Sequence, residues 1–392
     1  MPKVKTGIDR LFEEEIVDFK NKRVALLVHP ASVNSRLQYT LDLFYENPKI
    51  NLTRLFAPEH GLWGYAQDMI AVESQTDPRT SLPVKSLYGK NIASLKPTPA
   101  DLADVDCVVC DLQDIGSRYY TFIYTMALTM QACAENNREM IVLDRPNPIN
   151  GIDLEGKILK KGFESFVGLY PLPVRHGMTI GELAAYFNEE CNIECNLKVV
   201  PMKGWKREMF FDATSLPWVP PSPNMPTLET ALVYPGMCLL EATNLSEGRG
   251  TTRPFELAGA PFIDAHELAK NLSALHLEGV IFRPTTFRPT FHKWANEECG
   301  GVQLHVTDRK KFRPYLTGVA FLKTVIDLYP NDFQWRDKPY EFVSEIPAID
   351  LLSGDAVLRK KLEAHASLED IQKDWKEGYE EFLKKRQKHL LY

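Results

Sequence analysis

The chain has 392 residues, the length of about two domains, because single hydrophobic cores stop growing near roughly 250–300 residues. Hydrophobic residues make up 44% and charged residues 25%, a mix typical of soluble globular proteins that excludes general disorder. The formal charge of −6 comes from 52 acidic and 46 basic side chains. It argues against nucleic acid as the main partner, because binding to phosphates needs a basic face.

The compartment is inferred from the apolar segments of the chain. No stretch approaches the ~20 apolar residues of a membrane-spanning helix, so no membrane insertion is expected. Residues 1–5, Met-Pro-Lys-Val-Lys, lack the apolar core of a signal peptide. We therefore expect a cytoplasmic location for the sequence as it stands. A periplasmic or secreted location would fit a chain from which a leader had been removed.

Seven cysteines are spread along the chain, which is not the dense, even pattern of a small disulfide-bonded domain. Cys107 and Cys110 lie in an apolar run, and residues three apart on a strand face opposite sides. They therefore cannot share a metal, and we expect buried thiols. Cys191 and Cys195 are likewise expected to be structural.

The first half of the chain alternates short apolar runs with helical patterns, which predicts a parallel sheet built from βαβ units. Strands buried on both faces are typically such continuous apolar runs. The predicted strands are 23–28, 53–57, 106–110 and 140–143, and the predicted helices between them include 35–45 and 119–136. Thr179 and Glu182 are predicted to form a capping box for a further helix that ends at Glu190.

Five prolines fall within residues 216–226, a density that neither a helix nor a central strand tolerates. We interpret this segment as a rigid loop near a boundary between a domain 1–226 and a domain 227–392. The second domain mixes strand and helix patterns and is predicted to be α+β. Its predicted strands are 279–283 and 302–306, and its predicted helices are 320–328 and 368–388. The last helix places Ile371, Trp375, Tyr379 and Phe382 on one face, a stripe typical of core.

Candidate chemistry lies where the predicted strands end, because ligands of parallel sheets bind beyond the carboxyl ends of the strands. A single aspartate there is usually a helix cap, but several carboxylates with arginines at one edge are typical of acid–base chemistry. The charged side chains and histidine at three strand ends are Glu59, His60, Asp111, Asp114, Arg118, Asp144 and Arg145.

Several common signatures are missing from the sequence. There is no phosphate-binding P-loop, no H-E-x-x-H zinc motif and no G-x-S-x-G nucleophile elbow. The first strand ends in His-Pro-Ala-Ser, and 248–253 begins as G-x-G but has Arg253 at the third glycine position. These absences disfavour ATP hydrolysis, hydride transfer and zinc or serine hydrolysis, and we expect no cofactor and no metal. Hydrolysis by paired carboxylates remains.

The segment 241–256 is unusually polar and contains two arginines, whose planar forks bind carboxylates and so suggest an anionic ligand group. The alternative is an interdomain loop held by local salt bridges. Its polar side chains include Asn244, Ser246, Glu247, Arg249, Thr251, Thr252 and Arg253. Aromatic side chains could cover a sugar ring, although each is also typical of core. They are Trp63, Tyr65, Tyr119, Tyr120 and Trp218.

Four segments, 57–61, 111–118, 144–148 and 244–252, resemble the peptidoglycan exo-β-N-acetylmuramidase family, and the likeness runs from about residue 7 to residue 392. The resemblance implies a Rossmann-like N-terminal domain, a smaller C-terminal domain and an active-site cleft between them. It also implies removal of N-acetylmuramic acid from the non-reducing end of peptidoglycan fragments, with Glu59 catalytic. The expected partners are therefore peptidoglycan-derived muramyl saccharides. The substrate-binding candidates are His60, Trp63, Arg118, Tyr120, Asp144, Arg145, His176, Asn224, Asn244, Glu247, Arg249, Thr251 and Arg253.

The chemistry of muramic acid fits these residues. Its lactyl carboxylate would explain the arginines, of which Arg249 and Arg253 are the first candidates. Its 2-acetamido group could act as an internal nucleophile, with Glu59 as acid/base and Asp114 or Asp111 orienting the acetamide. A mechanism with two protein carboxylates is the rival. Two other classes remain open: a non-catalytic muropeptide- or sugar-binding protein, and a sugar-phosphate enzyme that uses 248–253 as a phosphate nest.

Overall fold

The structure, a computed structural model, describes residues 4–392. Its first sheet contains seven strands: β1 (Arg23–Val28), β2 (Asn51–Ala57), β3 (Gln75–Thr76), β4 (Pro83–Ser86), β5 (Cys107–Asp111), β6 (Glu139–Leu143) and β7 (Asn196–Val200). Their spatial order is β3-β4-β2-β1-β5-β6-β7. All neighbours pair in parallel except β3 and β4. The order reverses at β1, as in a doubly wound sheet, and this topology places ligand sites at the carboxyl ends of the central strands.

Helices cover both faces of this sheet. They are α1 (Gly7–Glu13), α2 (Thr40–Tyr45), α3 (Phe122–Glu135) and α4 (Ile180–Glu190). Side chains of α1 and α2 share one core cluster with Cys107, whereas those of α3 and α4 share the other with Cys110. The two thiols therefore face opposite sides of the sheet and are buried, as predicted, and all seven cysteines are free.

The rest of the chain adds an antiparallel sheet, in the order β8-β10-β9, and seven helices. The elements are α5 (Leu228–Met237), β8 (Leu257–Ala260), α6 (Ala265–Ala274), β9 (Val280–Phe287), β10 (Cys299–Val306), α7 (Pro314–Leu328), α8 (Ala348–Ser353), α9 (Val357–Glu363), α10 (Leu368–Gln372) and α11 (Tyr379–Gln387). The core that contains α3 and α4 continues without interruption into α5 and α7. The predicted α/β class with a second, smaller sheet is confirmed, and the division at residue 226 stays a prediction.

The four predicted strands of the first sheet lie within two residues of their observed ends, and Thr179 forms the predicted capping box at the start of α4. Strands β3, β4, β7 and β8 were not predicted, because they are short or half exposed. The predicted helix 368–388 is wrong. The helix is interrupted between α10 and α11, where Gly378 has a φ of 80°, a value outside the range of a right-handed helix.

None of the helices within residues 4–392 combines the length and the apolar character that crossing a membrane requires.

Candidate active site

A pocket of about 490 Å³, its open mouth included, lies at the carboxyl end of β2. Both parts of the chain line it. Residues before 226 contribute Glu59, His60, Asp68, Met69, Tyr119, Tyr120, Thr121, Phe122, Val167, Ser222, Asn224 and Met225, and later residues contribute Tyr234, Glu241, Arg249, Phe255, Tyr340 and Glu341. Four carboxyl groups therefore face one pocket. This arrangement suits acid–base chemistry on a polar ligand.

Glu59 follows β2 directly after Pro58 and is buried, with 6% of its surface exposed. One carboxylate oxygen accepts a hydrogen bond from the backbone N–H of Met69 at 3.2 Å. The other accepts one from the Thr121 hydroxyl at 2.8 Å. Thr121 is the N-cap of α3, and a negative charge is favoured at the N-terminal end of a helix. The two hydrogen bonds, one to each oxygen, thus fix the orientation of the Glu59 carboxyl group.

Besides Arg249, three other predicted binding residues share the pocket with Glu59. His60 has a left-handed φ of 70°, and its Nδ1 lies 2.8 Å from the carbonyl oxygen of Ala66. A carbonyl cannot donate, so Nδ1 carries a proton in this contact. Asn224, in the proline-rich loop, donates to the side chain of Gln67 at 2.7 Å. Burial raises the pKa of Tyr120 well above its usual value, so its hydroxyl stays neutral.

Arg249 lines the pocket but its guanidinium is already shared among three carboxylates. It lies 3.0 Å from Asp68, 2.7 Å from Glu241 and 3.2 Å from Glu247, and its guanidinium carbon lies 5.1 Å from the centre of the Phe255 ring. The contact of Nη2 with Glu241 is a hydrogen bond, and Nη1 and Nε each face a further carboxylate as ion pairs, so the charge of this arginine is already compensated. Arg249 therefore connects the loop after β2 to the segment 241–247.

Glu247 lies behind this arginine, outside the pocket lining. Besides Arg249 it contacts Lys293 at 3.0 Å and His292 at 3.2 Å. Burial opposes ionisation, but Lys293, His292 and Arg249 together hold the pKa of Glu247 well below its usual range. This carboxylate is a permanent anion of the structure.

Asp111, Asp144 and Arg145 lie at the predicted sheet edge but do not line the pocket. Asp111 forms a buried two-point ion pair with Arg145, at 2.6 and 2.7 Å. Arg145 instead lines a separate, smaller cavity of about 360 Å³. Asp144 accepts from the Gly181 N–H at 2.7 Å and from the Tyr392 hydroxyl at 2.6 Å, and so ties α4 and the C-terminus to β6.

Asp114, His176 and Arg118 also lie outside the pocket lining. Asp114 accepts from the backbone N–H of Gly116 at 2.7 Å and lies 3.2 Å from Nε2 of His176, a fully buried ring. The Arg118 guanidinium is fully buried and donates only to backbone carbonyls. Its partners are Lys157, Leu172 and Leu352.

The last predicted residues lie on loops away from the pocket lining. Trp63 is half exposed and packs edge-on against Tyr39. Asn244 donates to the carbonyl of Asp332 at 2.8 Å, and the Thr251 hydroxyl donates to the carbonyl of Gly248 at 2.5 Å. Arg253 is 47% exposed and lies 3.5 Å from Glu256.

Three carboxyl groups of the pocket were missed by sequence reasoning: Asp68, Glu241 and Glu341. Glu341 accepts from the Tyr88 hydroxyl at 3.1 Å and is 5% exposed. Burial, and then the charge of Glu59, raise the pKa of Glu341 well above its usual value. Asp68 lies eleven residues beyond the end of β2 and could have been considered with that strand end. Nothing around Glu341 in the sequence marks it.

Comparisons with known proteins agree with this architecture. Residues 24–229 match the N-terminal and residues 232–392 the C-terminal family model of exo-β-N-acetylmuramidase NamZ. The peptidoglycan β-N-acetylmuramidase NamZ of Bacillus subtilis (strain 168) is 51% identical over 391 residues, covering 100% of this chain and 92% of the relative.

Two crystal structures of DUF1343-family proteins from Bacteroides fragilis NCTC 9343 are similar to this one. The first has a TM-score of 0.91 at 39% identity and covers 100% of both chains. The second has a TM-score of 0.76 at 31% identity and covers 99% of both chains. The resemblance inferred from the four sequence segments is therefore confirmed: the chain belongs to the exo-β-N-acetylmuramidase NamZ family.

Proposed function

We propose that this chain is a glycoside hydrolase that releases N-acetylmuramic acid from the non-reducing end of peptidoglycan fragments, with Glu59 as the general acid/base. Membership of the NamZ family supports the enzyme class and the peptidoglycan substrate. The observation that carries the assignment of Glu59 is its position, buried in a pocket with both carboxylate oxygens held by donors. Fixed orientation of a proton-transfer group is what general acid–base catalysis requires.

The chemistry of the pocket supports a terminal sugar as the ligand. Aromatic side chains, including Tyr119, Tyr120 and Phe255, provide apolar surface beside the carboxyl groups. Such a mixture fits a sugar ring, which has apolar faces and polar edges.

The acetamido group of the substrate remains our proposed internal nucleophile. Asp111 and Asp114, which the sequence suggested as orienting groups, do not line the pocket and are held by Arg145 and by Gly116. The carboxyl groups that share the pocket with Glu59 are Asp68, Glu241 and Glu341. The group that assists Glu59 is therefore to be sought among these three.

The test is replacement of Glu59 by glutamine, which keeps the shape but cannot exchange the proton. With a muramyl–glucosamine disaccharide, release of free N-acetylmuramic acid should fall by ~10²–10⁴-fold. Circular dichroism and thermal unfolding should show that the variant folds. The matched control is Glu73→Gln, because Glu73 is an exposed glutamate on the same loop. This variant should keep wild-type turnover.

Two outcomes would contradict the proposal. Near-normal turnover of Glu59→Gln would remove Glu59 from the reaction. Binding of the disaccharide by the wild-type protein without any release of muramic acid would instead favour a non-catalytic sugar-binding protein.

A further inference from the structure

Glu341 is the first central residue of a tight two-residue turn, a position where glutamate is unusual. Tyr340 and Val343 exchange two backbone hydrogen bonds, both of 2.9 Å, around the two-residue turn formed by Glu341 and Phe342. The φ angles of these two central residues are 45° and 68°. Turns with positive φ at both positions strongly favour Asn-Gly. At positive φ a Cβ atom crowds the backbone, which glycine avoids and asparagine tolerates better than glutamate or phenylalanine. Strain of this kind is found where function demands a particular side-chain position.

The charged side chains that share the pocket with Glu341 are mainly carboxylates. Glu341 accepts one hydrogen bond, from Tyr88, and shares the pocket with Glu59, Asp68 and Glu241. Within residues 4–392, no side-chain nitrogen of a lysine, arginine or histidine lies within 4.0 Å of a carboxylate oxygen of Glu341 or Glu59. Arg249, the cation of this pocket, is engaged by Asp68 and Glu241.

Two buried carboxyl groups without a cation do not both ionise readily, so such a pair retains one proton between them. The hydrogen bonds indicate where this proton resides. Both oxygens of Glu59 accept hydrogen bonds, from an N–H and from a hydroxyl, whereas only one oxygen of Glu341 does. The second oxygen of Glu341 is therefore available to carry the proton, and the raised pKa of Glu341 agrees with this placement.

Resting on the hydrolase function proposed above, but dividing between two residues the acid and base roles given there to Glu59 alone, we propose that Glu341 is a second catalytic residue. It donates a proton to the leaving glycosidic oxygen, while Glu59 acts only as the base. The bond between C1 and the glycosidic oxygen breaks, and its electron pair stays on the oxygen, which takes the proton of Glu341. Water supplies the hydroxyl group that ends on C1, and its remaining proton passes to Glu59. Transfer of that proton to Glu341 restores the starting state. If the acetamido oxygen attacks C1 first, water enters at the second step with the same proton balance.

The experiment compares Glu341→Gln with the wild-type protein on two substrates. On the muramyl–glucosamine disaccharide, kcat should fall by ~10²–10⁴-fold, because the leaving sugar needs a proton. On an aryl muramide with an acidic phenol as leaving group, the loss should be at least tenfold smaller. The exposed neighbour Glu345→Gln should match the wild type on both substrates. An unchanged kcat, or equal losses on both substrates, would overturn the proposal.

A second readout does not depend on turnover. The infrared difference spectrum between the wild type and Glu341→Gln should contain a protonated-carboxyl band that persists above the pH at which ordinary glutamates ionise. In Glu59→Gln this band should titrate at lower pH, because the neighbouring negative charge is gone. If the wild type released no muramic acid but the band behaved as described, the proposed hydrolase function would be wrong. The inference that Glu59 and Glu341 share one proton would still hold. Absence of the band would show that Glu341 does not retain a proton, and it would overturn the proposal whatever the measured activity.

Discussion

At the scale of single residues, the structure separates arginines that are free to bind a ligand from those that are not. Arg249 is surrounded by three carboxylates, whereas Arg336, which lies beside the pocket, has no acidic side chain within 4.0 Å among residues 4–392. The Arg336 guanidinium lies 5.6 Å from the centre of the Tyr340 ring and 4.0 Å from the sulfur of Met69. Its other hydrogen bonds go to backbone carbonyls of its own loop.

We predict that Arg336 contributes more than Arg249 or Arg253 to recognition of the lactyl carboxylate. A charged hydrogen-bonded contact contributes ~1.5–3 kcal/mol, so Arg336→Ala should lower kcat/KM on muramic substrates about ten- to a hundredfold relative to N-acetylglucosaminides. Arg253→Ala is the comparison, and it should show a smaller change in this ratio because its side chain is half exposed. An unchanged ratio in Arg336→Ala, with a large change in Arg253→Ala, would reverse the assignment.

At the scale of elements, helices α5 and α7 approach so closely that only glycine fits at their crossing. A Cβ atom on Gly236 would lie 1.9 Å from the carbonyl oxygen of Pro314, and one on Gly318 would lie 2.2 Å from the carbonyl oxygen of Gly236. These are backbone atoms of the partner helix, so they cannot give way as a flexible side chain would. Helix α5 also carries Tyr234 into the pocket, so this crossing positions part of the site.

Gly236→Ala should therefore lower the free energy of unfolding by ~1–3 kcal/mol or more, because the two helices must separate. The measurement is the urea midpoint of unfolding. Ser273→Ala, on an exposed position of α6, is the control and should change stability by less than ~0.5 kcal/mol. Equal stability of Gly236→Ala and the wild type would show that the crossing relaxes without cost.

At the scale of the whole molecule, Arg118 connects segments that are distant in the sequence. Its guanidinium donates to the carbonyls of Lys157 at 2.7 Å and of Leu172 at 2.8 Å, and also to that of Leu352 in α8. All three acceptors are thus satisfied by one buried side chain. The contact with α8 joins the C-terminal helices to the first sheet.

Arg118→Ala should destabilise the entire fold, because it leaves three carbonyls without their donor and opens a cavity. At ~1–3 kcal/mol for each unsatisfied buried group, the loss should exceed ~3 kcal/mol. Calorimetry should show a lowered unfolding temperature, while KM of the folded fraction should stay unchanged. A raised KM with unchanged stability would instead place Arg118 in substrate binding.

Much of the fold could be predicted from local pattern. Continuous apolar runs identified the four central parallel strands, β1, β2, β5 and β6, because burial on both faces shows in neighbouring residues. Thr179 with Glu182 identified the start of α4, because helix capping is also local. The broken helix at Gly378 and the short edge strands were missed, since their conformations are stabilised by packing rather than by propensity.

The sequence alone determined that Glu59 follows a buried strand and that this strand end faces the ligand side of a parallel sheet. These properties depend only on strand direction and chain order. Only the tertiary structure decided which charges remain free. Asp111 and Arg145 neutralise each other, and Arg249 is held by three carboxylates. Glu341 comes from a distant turn to line the same pocket as Glu59. The physical reason is that the availability of a charged group depends on its nearest partners in space, and those partners come from residues far apart in the chain.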